Sequence, residues 1–475
     1  MLATQNGAAV GYELAGYELV YELIDRLRDA RRRSDEVFHL LRDDSFFERP
    51  IPERHRIVFY VGHLEAFDWN LLHENIAGLK SFHPEFDRLF AFGIDPVGGG
   101  LPGDQPSDWP SLGAVRDYVT KIRTGLDEKL GDAALARPFQ SPGGFPVDTL
   151  LNVAVEHRLM HAETLAYMLH QLPLGKKVRA EHPENPGTRH LDTAPVVHRM
   201  VAIPAGVATL GLPRSSETFG WDNEHEAHTV DVPAFAIDRY KVTNRRYLEF
   251  MAAGGYETRG FWSDEDWDWK SAQGISHPVF WGKAGDRWLY RTMFDEVPLP
   301  LDWPVYVSHA EASAYARWAG KSLPTEAEWH RAAYGTAGAG ESKRIFSRGN
   351  EAPNVRSRKT RFGNFDFHRW DPAPVNAFPE GRSAFGVDDM LGNGWEWTST
   401  VFAPFPGFKP FPFYRGYSAD FFDGKHFVMK GGSARTAACM LRPSFRNWFQ
   451  AHYQYVYAGF RCVSRDASAN ANANE

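Results

Sequence analysis

The chain has 475 residues, more than one hydrophobic core usually covers, so at least two domains are expected. Hydrophobic residues make up 43% and charged residues 24% of the sequence, as in ordinary globular proteins, and the net charge of -7 argues against a general binder of nucleic acids or anionic membranes. No apolar run is long enough to span a membrane, no signal peptide is visible at the start, and the two cysteines, Cys439 and Cys462, fit a reducing cytoplasm.

The first part of the chain, residues 1–180, has the periodicity of a helical bundle. Four helices are predicted, at Val10–Leu41, Val58–Leu79, Leu112–Leu130 and Thr149–Leu172. Helices of this length favour a four-helix bundle, a fold that commonly builds metal sites from side chains on facing helices. The segment Gly93–Pro110 between the second and third helices is rich in Gly and Pro, which is typical of a functional or disordered loop.

Three histidines on these helices take positions where an apolar residue would be expected. His157 and His161 lie one turn apart in the apolar stripe of the fourth helix, so they project from the same face. His63 lies in the apolar stripe of the second helix. Because burying three unpartnered imidazoles would be costly, a shared metal ion is predicted to satisfy all three. Glu163 lies roughly 200° around the helix from His161 and is not expected to bind the same ion.

From about residue 181 the character of the sequence changes. Residues 181–195 are polar and contain proline, which predicts a linker, and residues 196–466 alternate short strand-like pieces with Gly and Pro turns. Two helices are predicted there, at Asn244–Ala252 and at Ala310–Ala319, the second with a continuation near Glu326–Ala333. The second domain is therefore predicted to be an irregular α+β domain, followed by a disordered tail over residues 467–475.

Six short motifs in this second domain resemble those of the formylglycine-generating-enzyme/sulfatase-modifying-factor family, which implies an α+β fold of the C-type-lectin kind. In chain order they are Ile203-Pro-Ala-Gly, Tyr240-Lys-Val-Thr-Asn, Ser322-Leu-Pro-Thr-Glu-Ala-Glu-Trp, Gly392-Asn-Gly-Trp-Glu-Trp-Thr, Lys430-Gly-Gly-Ser and Ala458-Gly-Phe-Arg-Cys. The first domain resembles a DinB-type bundle, marked by Gly62-His63-Leu64 and by the pair His157 and His161 with Glu163. In this order the two domains resemble the ergothioneine sulfoxide synthases, which use iron(II) and oxygen to bond a sulfur donor to the imidazole of hercynine (trimethyl-histidine).

The resemblance implies roles for single residues. Those that match the three iron ligands of the family are His63, His157 and His161, and the one that matches its catalytic tyrosine is Tyr414. Asn447 and Trp448 match residues that line the hercynine pocket, and Tyr417 lies in the same active-site segment as Tyr414. The trimethylammonium group of hercynine favours an aromatic cage, for which the candidates are Trp448, Trp395 and Phe449.

Three departures from the family pattern bear on the donor. Met160 stands where the synthases commonly have Gln, and Phe449 stands where they have an Asp that helps to hold the sulfur donor. Their long loop carries arginines for the donor's carboxylates, whereas Ala91–Val115 contains no Arg or Lys. Because a γ-glutamylcysteine donor needs such partners, the departures favour a less anionic donor, and the selenoneine synthases, which join a selenosugar to hercynine, suit this site.

Other functions stay open on the sequence alone. A zinc-dependent thiol transferase of the DinB type also fits three histidines, and it would work without oxygen and without Tyr414. A non-catalytic ligand-binding module is a third possibility, because fold does not fix function. Copper-dependent formylglycine formation is not expected, because Thr436 and Leu441 stand where that chemistry needs two cysteines, with Cys439 between them. The exact donor and the oligomeric state are left undetermined.

Overall fold

The computed structural model describes residues 3–91, 101–133, 144–179, 193–338, 340–341 and 361–465, apart from the side chains of residues 3–18 and 77. The chain divides into two compact units, Met1–Ala180 and Glu181–Glu475. The predicted tail, residues 467–475, lies outside the described residues, and the predicted linker is described only from residue 193 onward. Among the described helices, none combines the length and the apolar character that crossing a membrane requires.

The first unit is a helical bundle, as the sequence predicted. Its helices are α1 (Ala3–Phe38), α2 (Ile57–Leu72), α3 (Pro84–Leu89), α4 (Leu112–Ala133) and α5 (Val147–Gln171). Helix α5 packs against α1 and α2, and α4 packs against α2. The second helix is shorter than predicted, because α2 ends at Leu72. A π-helical turn, His73–Ala77, follows it, and Gly78 terminates this turn in the left-handed conformation with φ 58°.

Helices α2 and α5 form the centre of the bundle and are buried on nearly every side, not on one face as the stripe of α5 suggested. Charged side chains take part in this burial because they are paired. Arg158 on α5 donates to Glu65 Oε1 at 2.8 Å, to Asp68 Oδ2 at 2.6 Å and to the carbonyl of Leu64 at 2.9 Å, all on α2. This buried network fixes the two helices against each other.

The second unit is an irregular α+β domain, as the sequence predicted. Its strands are β1 (Met200–Ile203), β2 (Gly206–Leu210), β3 (His228–Val232), β4 (Phe235–Asp238), β5 (Trp281–Ala284), β6 (Arg287–Arg291), β7 (Glu296–Pro298), β8 (Trp395–Val401), β9 (His426–Lys430), β10 (Asn447–Gln450), β11 (Ala458–Gly459) and β12 (Val463–Ser464). They form sheets with the strand orders β10-β9-β8-β11, β1-β4-β12, β5-β6-β7 and β2-β3. The helices are α6 (Asn244–Ala252), α7 (Asp264–Ala272), α8 (His309–Trp318) and α9 (Glu326–Tyr334), of which α7 was not predicted.

The motif that begins at Gly392 builds the centre of the second unit. Asn393 has φ 61°, and its side-chain amide bonds the backbone of Ala373 and the carboxylate of Asp389. Gly394 has φ 135°, and a Cβ there would lie 2.7 Å from the ring of Tyr306, so only glycine fits. The turn leads directly into β8, which pairs with β9, and β9 in turn pairs with β10.

Candidate metal centre and aromatic cluster

The three predicted histidines of the first unit come together in the bundle interior. Their donor atoms all lie within 4.8 Å of one another, and all three side chains are buried. His161 Nε2 lies 3.1 Å from His157 Nε2 and 3.3 Å from His63 Nε2. Because His63 comes from α2 and the other two come from adjacent turns of α5, the fixed contact between these helices sets the spacing of the three nitrogens.

The protonation of these imidazoles suits metal binding. His63 Nδ1 donates to the carbonyl of Phe90 at 2.7 Å, which leaves Nε2 with a free lone pair facing the other two rings. Burial lowers the pKa of His63 to about 4, and burial together with the neighbouring imidazoles and Arg158 holds the pKa values of His157 and His161 well below their ordinary value. All three rings are therefore neutral at pH 7, the state in which imidazole binds a first-row metal.

Aromatic rings hold the histidines in place. Phe67 stacks on His157 with 3.4 Å between ring centroids, and Phe59 stacks on His63 at 4.8 Å. Glu163 is buried, but the cluster of possible ligands among the described residues contains the three histidines without a carboxylate. Met160 is half-buried on α5, directly before His161. A three-histidine site of this kind leaves the remaining positions of an ion open to other ligands.

In the second unit, the structure gathers the predicted catalytic tyrosine and two of the predicted substrate residues into one aromatic cluster. Tyr414 lies 5.6 Å from Tyr417 between ring centroids, and Tyr417 lies 5.4 Å from Trp448. Sequence reasoning missed two further members: Trp221 stacks on Tyr417 at 3.9 Å, and Phe402 stacks on Trp448 at 4.2 Å. We call these five rings the Tyr414 cluster.

Asp222 anchors the segment that carries Tyr414. Its carboxylate accepts from Ser418 Oγ at 2.7 Å and from the backbone N–H of Phe411 at 3.4 Å. Burial raises the pKa of Asp222, and burial together with the nearby Asp222 carboxylate raises the pKa of Tyr414. The Tyr414 phenol therefore keeps its proton at neutral pH. The only sequence signal for Asp222 was a charged residue directly after a tryptophan, which does not reveal a partner almost 200 residues away.

The other predicted substrate residues of the second unit make contacts outside the five rings of the Tyr414 cluster. Phe449 follows Trp448 on β10, so its side chain is on the opposite face of the strand, where it stacks on Tyr453 at 4.9 Å. Trp395 is only 2% exposed and packs near Phe445, with 6.0 Å between ring centroids. Asn447 Oδ1 accepts from the backbone N–H of Trp448 at 2.9 Å. The described contacts thus place Trp448 in the Tyr414 cluster without Phe449 or Trp395, whose part in a cage stays a prediction.

A separate cavity of about 320 Å³ lies elsewhere in the second unit, and it shares no residue with the predicted site. Aromatic rings and charged groups line it, among them Tyr315 and Trp318. Two of its cations are already paired, because Lys321 contacts Asp238 at 2.7 Å and Arg246 contacts Glu249 at 2.7 Å. The cavity therefore offers less to a ligand than its size suggests.

Fold and site together define a class of protein: a DinB-type bundle with three convergent histidines, joined in one chain to a sulfatase-modifying-factor domain. Family models match both parts, the DinB superfamily over residues 26–165 and the Sulfatase-modifying factor enzyme 1-like domain over residues 188–466.

The curated relatives to which the chain is similar include the following three. It is 34% identical over 456 residues to the hercynine oxygenase of Mycolicibacterium smegmatis, with 92% of this chain and 97% of the relative covered. It is 39% identical over 318 residues to the hercynine oxygenase of Mycolicibacterium thermoresistibile, with 65% of this chain and 67% of the relative covered. It is 27% identical over 500 residues to the ergothioneine biosynthesis protein 1 of Neurospora crassa, with 89% and 55% covered. The chain therefore belongs to the hercynine oxygenase family, and it is an oxidative enzyme, as the sequence predicted.

Proposed function

We propose that this enzyme uses iron(II) and oxygen to form a carbon–selenium or carbon–sulfur bond between a chalcogen donor and C2 of the hercynine imidazole, with a selenosugar as the favoured donor. The observation that carries the proposal is the convergence of His63, His157 and His161 in a chain of the hercynine oxygenase family. The names of the relatives support oxygen as co-substrate and hercynine as acceptor, because several of them are called hercynine oxygenase.

The three histidines would hold the metal. Iron(II) bound there would keep a selenolate or thiolate ionised and would activate oxygen. The chain supplies neutral imidazoles whose orientation is fixed by stacking on Phe59 and Phe67 and by the bond from His63 Nδ1 to Phe90. None of these contacts uses a carboxylate, which favours the binding of an anionic chalcogen.

The Tyr414 cluster supplies the groups for the acceptor and for proton transfer. Trp448 is half-buried, and the part of its indole that Phe402 and Tyr417 do not cover is an aromatic surface of the kind that attracts a quaternary ammonium group. Asn447 is assigned to the acceptor imidazole, whose nitrogens an amide can bind. Tyr414 is assigned the role of proton donor, because it matches the catalytic tyrosine of the family and its phenol carries a proton at neutral pH.

The preference for a selenosugar donor depends on charged side chains that the family commonly has and this sequence lacks. The sequence Ala91–Val115 offers no cation to a carboxylate, and Phe449 replaces an acidic residue at the end of the hercynine motif. A carboxylate-rich thiol would have to lose its hydration there without gaining an ion pair, which is unfavourable. A neutral sugar carries no such charge, so its selenolate or thiolate is the single anion that the site has to bind.

The test is an anaerobic reconstitution of the purified protein with iron(II), followed by hercynine, oxygen and each candidate donor, with products identified by mass spectrometry. We expect coupling that depends on oxygen and that is faster with the selenosugar than with γ-glutamylcysteine. Coupling of γ-glutamylcysteine alone would refute the choice of donor. Bound zinc and thiol transfer in the absence of oxygen would instead favour the DinB-type thiol transferase, in which Tyr414 has no role.

A further inference from the structure

In the first unit, the carboxylate of an acidic side chain is bound by two arginines, which would otherwise be free to bind an external anion. The carboxylate of Asp104 contacts the guanidinium groups of both Arg49 and Arg56, the latter with 3.0 Å between Nε and Oδ2. The indole Nε1–H of Trp109 also donates to Asp104 Oδ2, at 2.7 Å. Two guanidinium groups and one N–H are the kind of donor set by which proteins bind the carboxylate of a ligand. We call Arg49 and Arg56 the arginine pair.

The arginine pair is a built site and not a surface contact. The side chains of Arg49, Arg56 and Asp104 are 17%, 13% and 22% exposed, so the charges are largely withdrawn from water. Arg49 also donates to the carbonyl of Pro102 at 2.5 Å, and Arg56 donates to the carbonyl of Asp104 at 2.8 Å, which fixes both guanidinium groups. Arg49 Nε is buried and has no hydrogen-bond partner among the described residues, so the pair has a spare donor.

Ring contacts connect the arginine pair to the histidine cluster. Trp109, which donates to Asp104, lies edge-on to Phe59 with 5.9 Å between ring centroids, and Phe59 stacks on His63 at 4.8 Å. Arg56 is the residue immediately before α2, the helix that carries His63. Asp104 is therefore connected to a predicted metal ligand through Trp109 and two ring contacts, which puts the arginine pair in the same part of the bundle as the histidine cluster.

We propose that Asp104 is a specificity residue, which fills the anion-binding position of the arginine pair from within the chain and so excludes donors that carry a carboxylate. This inference rests on the proposed function for the identity of the donor, but the anion-binding position itself does not. An internal carboxylate competes at a high effective concentration, so an external one can bind only when Asp104 is removed. Removing Asp104 also leaves two poorly hydrated cations without an anion, and such cations gain from any carboxylate of the right length.

The test is glutarate binding to the full-length protein as purified, measured by titration calorimetry and by the glutarate-dependent shift in melting temperature. The variant is Asp104→Ala. The matched control is Asp108→Ala, which removes an exposed carboxylate from the same segment and contacts neither arginine in the described structure. Sodium chloride at matched ionic strength controls for screening. We expect Asp104→Ala to bind glutarate at least about tenfold more tightly than the wild type and Asp108→Ala do.

Adding Arg49→Gln and Arg56→Gln to Asp104→Ala should abolish the gain. Equal glutarate binding by Asp104→Ala and Asp108→Ala would overturn the inference, and so would an equal stabilisation by chloride. If the alanine variant does not fold, Asp104→Asn takes its place, because its amide oxygen can still accept from Trp109 while the negative charge is gone, and the same gain is required of it. The glutarate titration involves no turnover, so the two proposals can fail separately. If Asp104→Ala gains glutarate binding but the wild-type enzyme does not react with hercynine, only the proposed function is refuted. If the wild-type enzyme couples the selenosugar but Asp104→Ala gains no glutarate binding, only the role of Asp104 is refuted.

Discussion

Replacement of Arg158 by Met should destabilise the bundle more than any other single loss of charge in it. Arg158 and its partners Glu65 and Asp68 are at most 1% exposed, and breaking such a buried ion pair costs about 3–5 kcal/mol. Glu65 keeps Arg123 at 2.7 Å, but the nearest remaining cation of Asp68 is Arg31 at 3.9 Å. We therefore expect a loss of about 3 kcal/mol, or about 6–12 °C in melting temperature for a unit of this size.

The assay is thermal unfolding of the full-length protein, followed by the helical circular dichroism signal, together with metal content after dialysis. Because Arg158 directly follows His157 and donates to the carbonyl beside His63, we also expect metal affinity to fall by about 10–100-fold. Arg123→Met is the control, since its side chain is 28% exposed and its loss should cost about 1 kcal/mol. Replacing Arg158, Glu65 and Asp68 together by Met, Gln and Asn should recover stability, because Arg123 keeps its partner Asp35 and Arg31 keeps its partner Asp127. A single variant that melts within about 1 °C of the wild type, or a triple variant no better than the single one, would refute this account of the network.

Three further predictions concern single residues. His161→Ala should lose most of its bound metal, as measured by elemental analysis, and retained iron with retained turnover would show that the ligand assignment is wrong. Tyr414→Phe should keep its bound metal but couple donor and hercynine about 100-fold more slowly or divert the reaction, and unchanged kinetics would remove Tyr414 from the proposed mechanism. His309 is buried and its pKa is lowered by burial to about 4, so the folded state resists protonation that the unfolded state accepts below about pH 6.5. Stability should therefore fall between pH 6.5 and 4 by up to about 3 kcal/mol from this group, and His309→Gln should flatten that dependence in unfolding experiments; identical pH profiles would contradict the assignment.

The helices of the bundle were predictable where apolar periodicity is strong. The fourth predicted helix, Thr149–Leu172, corresponds to Val147–Gln171, because its stripe and the preceding Gly and Pro residues mark it clearly. Helix α7, Asp264–Ala272, was missed because its acidic residues and tryptophans form no apolar stripe. The signals that could have found it are local: Ser263 caps the helix by accepting from the N–H of Asp266, and three acidic residues occupy the first turn.

The candidate site was predictable only in part. Periodicity brought out His63, His157 and His161, because each interrupts an apolar stripe. The burial of Arg158 was not predictable, because a charged residue is predicted to be exposed unless its partners are known. Its partners Glu65 and Asp68 lie some 90 residues away along the chain. Trp221 and Asp222 were missed for the same reason, because only the folded chain brings them to Tyr417 and Ser418.

The bond from His63 to the carbonyl of Phe90 has a consequence for how such an enzyme can evolve. Its acceptor is a main-chain oxygen, so no exchange of a side chain can replace it with a stronger or weaker base. The electron-donating power of His63 toward the metal we propose is therefore set by the path of the backbone. The adjacent Gly62 protects that path, because a Cβ there would lie 2.5 Å from the ring of Phe90. Mutations could then change the reactivity of a bound metal only through the surroundings of His157 and His161, while the hydrogen bond of His63 stays the same.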